Sequence, residues 1–173
     1  MTSNPTPRSL AIFTFATAVL AACGFQEDTD ITITFDPCEP LTLRSAAGAS
    51  SAQVTSLRSA AALWNAHGTN ITVVEQPSDD PNEIEVGFED AAPMFFGVYL
   101  DEEGEVVINE RISDEEERTI VVTHEIGHAF GLEHVAKDTR SVMMPGNTSL
   151  PPTTIDIEAL QALWPECGLT DDR

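Results

Sequence analysis

The sequence predicts a mixed α/β domain of the α+β kind, and three patterns carry that expectation. Short apolar segments of alternating or β-branched character recur before residue 110. Two other stretches, one in each half, place apolar residues at helical spacing. Between the last strand-like segment and the last helix, HEIGHAFGLEH at 124–134 gathers three of the chain's four histidines.

The elements follow in order. Ile31-Thr32-Ile33-Thr34-Phe35 alternates apolar and polar, which predicts a half-buried strand. Val54, Leu57, Ala61 and Trp64 recur on one helical face, and Gly68 closes that helix. His67, at its end, reads as a surface or capping histidine rather than a ligand. Ile71–Val74 and Ile84–Phe88 read as strands, joined by the acidic loop Asp79-Asp80-Pro81-Asn82-Glu83. Phe95–Leu100 and Glu105–Asn109 form two more, joined by Asp101-Glu102-Glu103-Gly104. Ser113 with Glu116 has the form of a capping box, and acids after Ser113 favour the positive end of a helix dipole. The next helix therefore starts near Asp114 and runs to about Gly131, with Ile120-Val121-Val122 buried. Thr153 with Asp156 begins a last helix with Ile157, Leu160, Leu163 and Trp164 as its apolar positions, and Pro165 ends it.

His124 and His128 lie four apart, so on a helix they present two nitrogens on one face. Glu125 stands beside them. Gly131 adopts backbone conformations that other residues resist, so the chain can stop the helix and swing His134 back as a third ligand. Three protein ligands with a fourth position open is the pattern of catalytic zinc rather than structural zinc. The plainer reading, a helix with incidental surface histidines, does not account for the spacing of Gly131 and His134. Ser141-Val142-Met143-Met144-Pro145 follows soon after.

This HExxHxxGxxH motif with a Met-containing turn resembles the metzincin metalloproteases, and the xxMxP form most resembles their matrixin branch. The resemblance is sharp over His124–Pro145 and looser over Ser50–Trp164. It implies a zincin fold: a twisted, mostly parallel five-stranded sheet with an active-site helix, a backing helix and a C-terminal helix after the Met-turn. It implies that Met143 floors the metal, and that Phe95–Leu100 is the edge strand to which an extended substrate adds. It also implies that Ile120, four residues before His124, lines a specificity pocket walled by Pro145, Gly146 and Asn147. The sequence departs from matrixins at Val135 and Met144, where they carry serine and tyrosine, and shows no PRCGxPD-like propeptide switch. Matrixins use calcium, and the two acidic loops leave Ca2+ as a candidate. The family's calcium-ligand spacing is not reproduced, however, so solvated turns are the simpler reading.

Arg8 followed by the apolar stretch Leu10 to Leu20 reads as a signal peptide, too short to span a bilayer comfortably. It ends Leu20-Ala21-Ala22-Cys23, which resembles the bacterial lipoprotein box, in which cleavage precedes a lipidated cysteine. That divides the chain into a signal peptide at 1–22, a lipidated tether at 23–30 and a catalytic domain at 31–173. Lipidation of Cys23 leaves Cys38 and Cys167, which flank the catalytic region in a compartment where disulfides persist. Pairing them is the leading expectation. The alternatives are two free thiols, or Cys38 as an inhibitory zinc ligand without the family's switch sequence.

Removal of 1–22 takes away one base and no acid, leaving 7 basic and 29 acidic residues, net −22. Such charge opposes nucleic-acid and anionic-membrane binding, and favours solubility above all. The expectation is therefore a monomeric zinc metalloendopeptidase, lipid-anchored on the extracytoplasmic side of a bacterial membrane and acting on proteins or peptides. Zinc activates water, and Glu125 serves as general base. The rival reading is a surface-anchored zinc-containing binding lipoprotein without turnover. Glu125 argues against it, because a structural zinc needs no general base.

Overall fold

The computed structural model describes residues 31–77 and 80–170. Five strands form one sheet: β1 (Pro40–Ser45), β2 (Asn70–Val74), β3 (Glu83–Glu89), β4 (Gly97–Leu100) and β5 (Glu105–Asn109). Their order is β2-β1-β3-β5-β4. The pairs β1–β2, β1–β3 and β3–β5 are parallel. Only β4, at one edge, is antiparallel, as its short hairpin from β5 requires. The mostly parallel five-stranded sheet is thus as the sequence implied.

Among the described residues three helices complete the fold: α1 (Ser51–Asn65), α2 (Glu115–Ala129) and α3 (Thr154–Leu163). α1 packs on β1 and β2, α2 on β4 and β5, and the two helices pack on each other, so they share one face of the sheet. Trp64 locks that contact. Its ring is fully buried, meets Phe130 edge-on with centroids 5.6 Å apart, and donates from Nε1 to the Thr123 carbonyl at 3.0 Å. None of the described helices is long and apolar enough to cross a membrane.

The first strand is not where the alternation placed it. Residues 31–35 alternate between half-buried and exposed as expected, but no strand pairs with them. Ile33 N–H donates to the Asp101 carbonyl, 3.1 Å away, and Phe35 N–H to the Ala129 carbonyl at the end of α2, at 2.8 Å. The missed strand is Pro40–Ser45, which lies inside the sheet between β2 and β3. Pro40 and Arg44 disguise it in the sequence. Proline is tolerated at a first strand position, and Arg44 is paired with Glu83 and Glu85 on β3.

Two smaller corrections follow. α2 is capped by Asp114, whose carboxylate accepts from Glu117 N–H at 2.8 Å, rather than by Ser113. Aspartate caps as well as serine does, so adjacent candidates one residue apart compete. His67 is not on the surface. It is 1% exposed, and its Nδ1 lies 3.0 Å from the Thr170 carbonyl, fastening the C-terminal segment to the end of α1. The C-terminal capping box at Thr153 and Asp156 is present as expected. Cys38 and Cys167 are disulfide-bonded with Cα atoms 5.1 Å apart, which joins the segment before β1 to the one after α3.

Candidate metal centre

The zinc helix ends in a way that builds the site. Leu132 N–H bonds to the Gly127 carbonyl (3.0 Å), and Gly131 N–H to the His128 carbonyl (2.8 Å). Gly131 has φ +90. This pair of bonds with a left-handed residue just past the cap is a Schellman motif, and glycine takes that conformation without Cβ strain. The chain is thereby turned back, which carries His134 toward the helix. The same stop orients a ligand, because the Leu132 carbonyl accepts from His128 Nδ1 at 2.8 Å.

His124 is fixed from the opposite side. Its Nδ1 donates to the Val142 carbonyl at 2.7 Å. With their Nδ1 atoms so engaged, His124 and His128 both turn Nε2 toward His134 Nε2, at 3.1 and 3.3 Å. These are the only three His, Cys, Asp or Glu side chains in that group among the described residues. Three imidazole nitrogens each about 2.0–2.1 Å from a tetrahedral zinc must lie roughly 3.3–3.4 Å apart, so the donor set fits zinc with a fourth position open. Burial holds the His124 imidazole down at about 4 and that of His128 at about 3. Both rings are neutral at physiological pH, as metal ligation needs.

Glu125 is 5% exposed. Burial pushes its carboxyl up to about 8, opposed by a hydrogen bond from the Tyr99 backbone N–H. Its neighbour on β4 is Gly97, where a Cβ would stand 2.9 Å from Glu125 Oε1 and 3.0 Å from Val121 Cγ1. The missing side chain is what lets the carboxylate lie against the edge strand.

The turn below the ligands is held by one buried carboxylate. Asp156, 1% exposed, accepts from Ser141 Oγ, from Val142 N–H at 3.0 Å, and from Thr153 N–H at 2.7 Å. Met143 is 1% exposed and packs on α2 at Gly127, where a Cβ would overlap its Sδ and stand 3.2 Å from its Cε. Gly127 sits inside the motif, between Ile126 and His128. Sequence reasoning passed over Gly127, Gly97 and the second role of Asp156. A glycine within a helix or a strand, costly without a reason, was the available signal for the first two.

The remaining sequence-derived residues lie around this centre. Ile120 is 4% exposed, yet it stands outside the contiguous core that includes Val121, Val122 and Ile126. Pro145 is half-buried and Gly146 exposed. Asn147 is buried and fully occupied. Its Nδ2 donates to the Val142 and Leu150 carbonyls, and its Oδ1 accepts from Ser149 and Leu150 N–H, so it braces the turn. The two acidic loops spend carboxylate oxygens on bonds to the rest of the fold. Asp80 accepts from Thr42 Oγ1 and Asn82 N–H, and Asp101 from Thr32 N–H.

The family model for Matrixin matches residues 93–164, which span β4, β5, α2, the three histidines, the Met-turn and α3. The chain is a zinc metalloendopeptidase, matrixin-like over residues 93–164. No curated protein matches its sequence. Solved structures share this chain's fold at low identity. Myroilysin aligns with TM-score 0.57 and 14% identity, over 79% of this chain and 97% of that one. Archaemetzincin from Methanopyrus kandleri aligns with TM-score 0.57 and 19% identity, over 73% and 95%. High choriolytic enzyme 1, a hatching-enzyme zinc protease from the medaka fish Oryzias latipes, aligns with TM-score 0.53 and 13% identity, over 82% and 98%.

Proposed function

We propose that this matrixin is a lipid-anchored endopeptidase on the extracytoplasmic side of a bacterial membrane, cutting extended stretches of proteins or peptides there. The observation that carries the catalytic reading is the convergence of three histidine Nε2 atoms beside a buried glutamate. His124, His128 and His134 are the zinc ligands, and zinc bound there lowers the pKa of water toward neutrality and polarises the scissile carbonyl. Glu125 takes the water's proton on its carboxylate and passes it to the leaving amine.

Substrate enters along β4. Asn109 N–H bonds to the Phe96 carbonyl at 2.9 Å, so in the alternating antiparallel ladder the backbone groups of Gly97 and Tyr99 face outward. An added strand pairs with those of them that Glu125, which accepts from the Tyr99 N–H, leaves open. Ile120 floors an apolar pocket for the residue after the cleaved bond, with Pro145 and Gly146 at its wall, favouring leucine, methionine or phenylalanine. A peptide library showing charged residues preferred there rejects that assignment.

The anchor reading rests on Leu20-Ala21-Ala22-Cys23, which lies outside the described residues, as do the signal peptide and tether. Cys23→Ser should release the protein from membranes and abolish fatty-acid labelling; equal labelling of both forms contradicts it. The catalytic reading is tested by removing metal with a chelator. Hydrolysis should stop and return with one equivalent of zinc. Undiminished hydrolysis by metal-free protein refutes it.

A further inference from the structure

Residues 31–36 carry no ladder, yet they are fastened at four points. Thr32 N–H donates to Asp101 Oδ2 at 2.8 Å, and Ile33 N–H to the Asp101 carbonyl at 3.1 Å. The Ile33 carbonyl accepts from the Tyr99 hydroxyl at 2.8 Å. Phe35 N–H donates to the Ala129 carbonyl at 2.8 Å. Close packing backs these bonds. A Cβ at Gly104 would stand 3.5 Å from Phe35 and 3.8 Å from Ile33, and one at Gly131 would stand 3.4 Å from Thr34.

The two ends of this segment grip different parts of the cleft. One grips the β4–β5 hairpin, whose outer strand lies at a sheet edge and pairs with a single neighbour. The other grips the last turn of the zinc helix, two residues before the Gly131 turn that brings His134 round. Tyr99 belongs to both systems. Its hydroxyl holds the segment, and its backbone N–H meets Glu125. Tyr99 is 7% exposed, so the link is largely sheltered from water.

We infer that residues 31–36 are a strap that sets the spacing between the edge strand and the zinc helix, with Tyr99 as the positioning residue through which the strap acts. The strap makes no contact with the substrate. It keeps β4 in the register at which an added strand presents its bond to Glu125. This rests on the reading of β4 as the substrate edge.

The test uses the full chain carrying Tyr99→Phe, Asp101→Ala, or both, compared with wild type by amide hydrogen exchange, zinc content and steady-state kinetics. Tyr99→Phe keeps the ring and removes one buried hydrogen bond, a loss on the order of tenfold in the local opening equilibrium. Val98 and Leu100 amides should exchange about tenfold faster, while Leu41 and Leu43 are unchanged. KM should rise about tenfold, with kcat within about twofold of wild type and zinc still bound at one per chain. Asp101→Ala is close to the surface and should show the same pattern more weakly. The double variant should do little more than Tyr99→Phe, since both release one strap. Unchanged exchange at Val98 and Leu100 in both single variants overturns the strap. Faster exchange with an unchanged KM shows that β4 is not the substrate edge, and overturns the proposal by that route.

Discussion

The two halves of this protein bury different chemistry. In β1, β2, β3 and α1 the buried interior is mainly apolar, with Leu41, Leu43, Leu57, Trp64, Ile71 and Ile84 among it, and the one buried ionisable group of this half among the described residues is His67, just past α1. Around α2, the Met-turn and α3, the described residues bury Arg118, His124, Glu125 and Asp156. Each of those four has a hydrogen-bond partner. An apolar interior tolerates changes that preserve volume. A buried polar network does not, because deleting one member leaves another unsatisfied in a medium where that is costly. The first half is therefore a platform defined by shape, and the second a mechanism defined by particular atoms.

The sharpest way to break this contrast is within the ligand set. His128→Ala should lose zinc and activity together, since only three ligands are available, as metal analysis and a peptide assay would show. Next comes the covalent link between the halves. Reduction, or Cys38→Ser, opens a cross-link spanning 129 residues. It should lower stability by about 5 kcal/mol by denaturant titration, on a chain-entropy model. Zinc stoichiometry at low denaturant should not change, because the bond lies away from the ligands.

Gly127→Ala comes next and compares the halves directly. The added methyl meets Met143, so a shift costing roughly 1–3 kcal/mol follows, with weaker zinc binding. Leu57→Met, a similar-volume change in the platform, should cost under about 1.5 kcal/mol and leave zinc binding alone. Equal effects on zinc from both variants would erase the distinction.

The smallest expected effect is a pH dependence at the strap. The Thr32 backbone N–H holds the Asp101 carboxyl below its usual value of 3.8. A depressed folded pKa means the contribution is fully present above the unfolded value and is lost as pH falls through the folded one. Amide protection at Thr32 should accordingly be flat from neutrality to about pH 4 and fall only below it. A loss near pH 6 assigns the dependence to another group.

Much of the mechanism half was legible because its chemistry needs residue types at fixed spacing. His124, His128, Gly131 and His134 declare a helix, a stop and a return. The Thr153–Asp156 box declares the next helix. What stayed hidden depends on contacts made across the fold. Nothing local to Asp156 reveals that it also holds Ser141 and Val142, and nothing local to Tyr99 reveals its grip on Ile33. The platform half was less legible for a different reason. Alternation at 31–35 reports half-burial faithfully, but half-burial does not guarantee a ladder, since its N–H groups go to a turn and a helix end. Pro40–Ser45, an interior strand, has its apolar pattern interrupted by an arginine whose two glutamate partners arrive from β3.

The most direct measurement concerns Glu125, which the account makes the proton carrier and not a ligand. Glu125→Ala should bind zinc at one per chain with wild-type affinity, while peptide hydrolysis falls by at least 10²–10⁴-fold, the range for loss of a general base. Wild-type hydrolysis by the zinc-loaded variant, or loss of zinc with the side chain, would contradict the account.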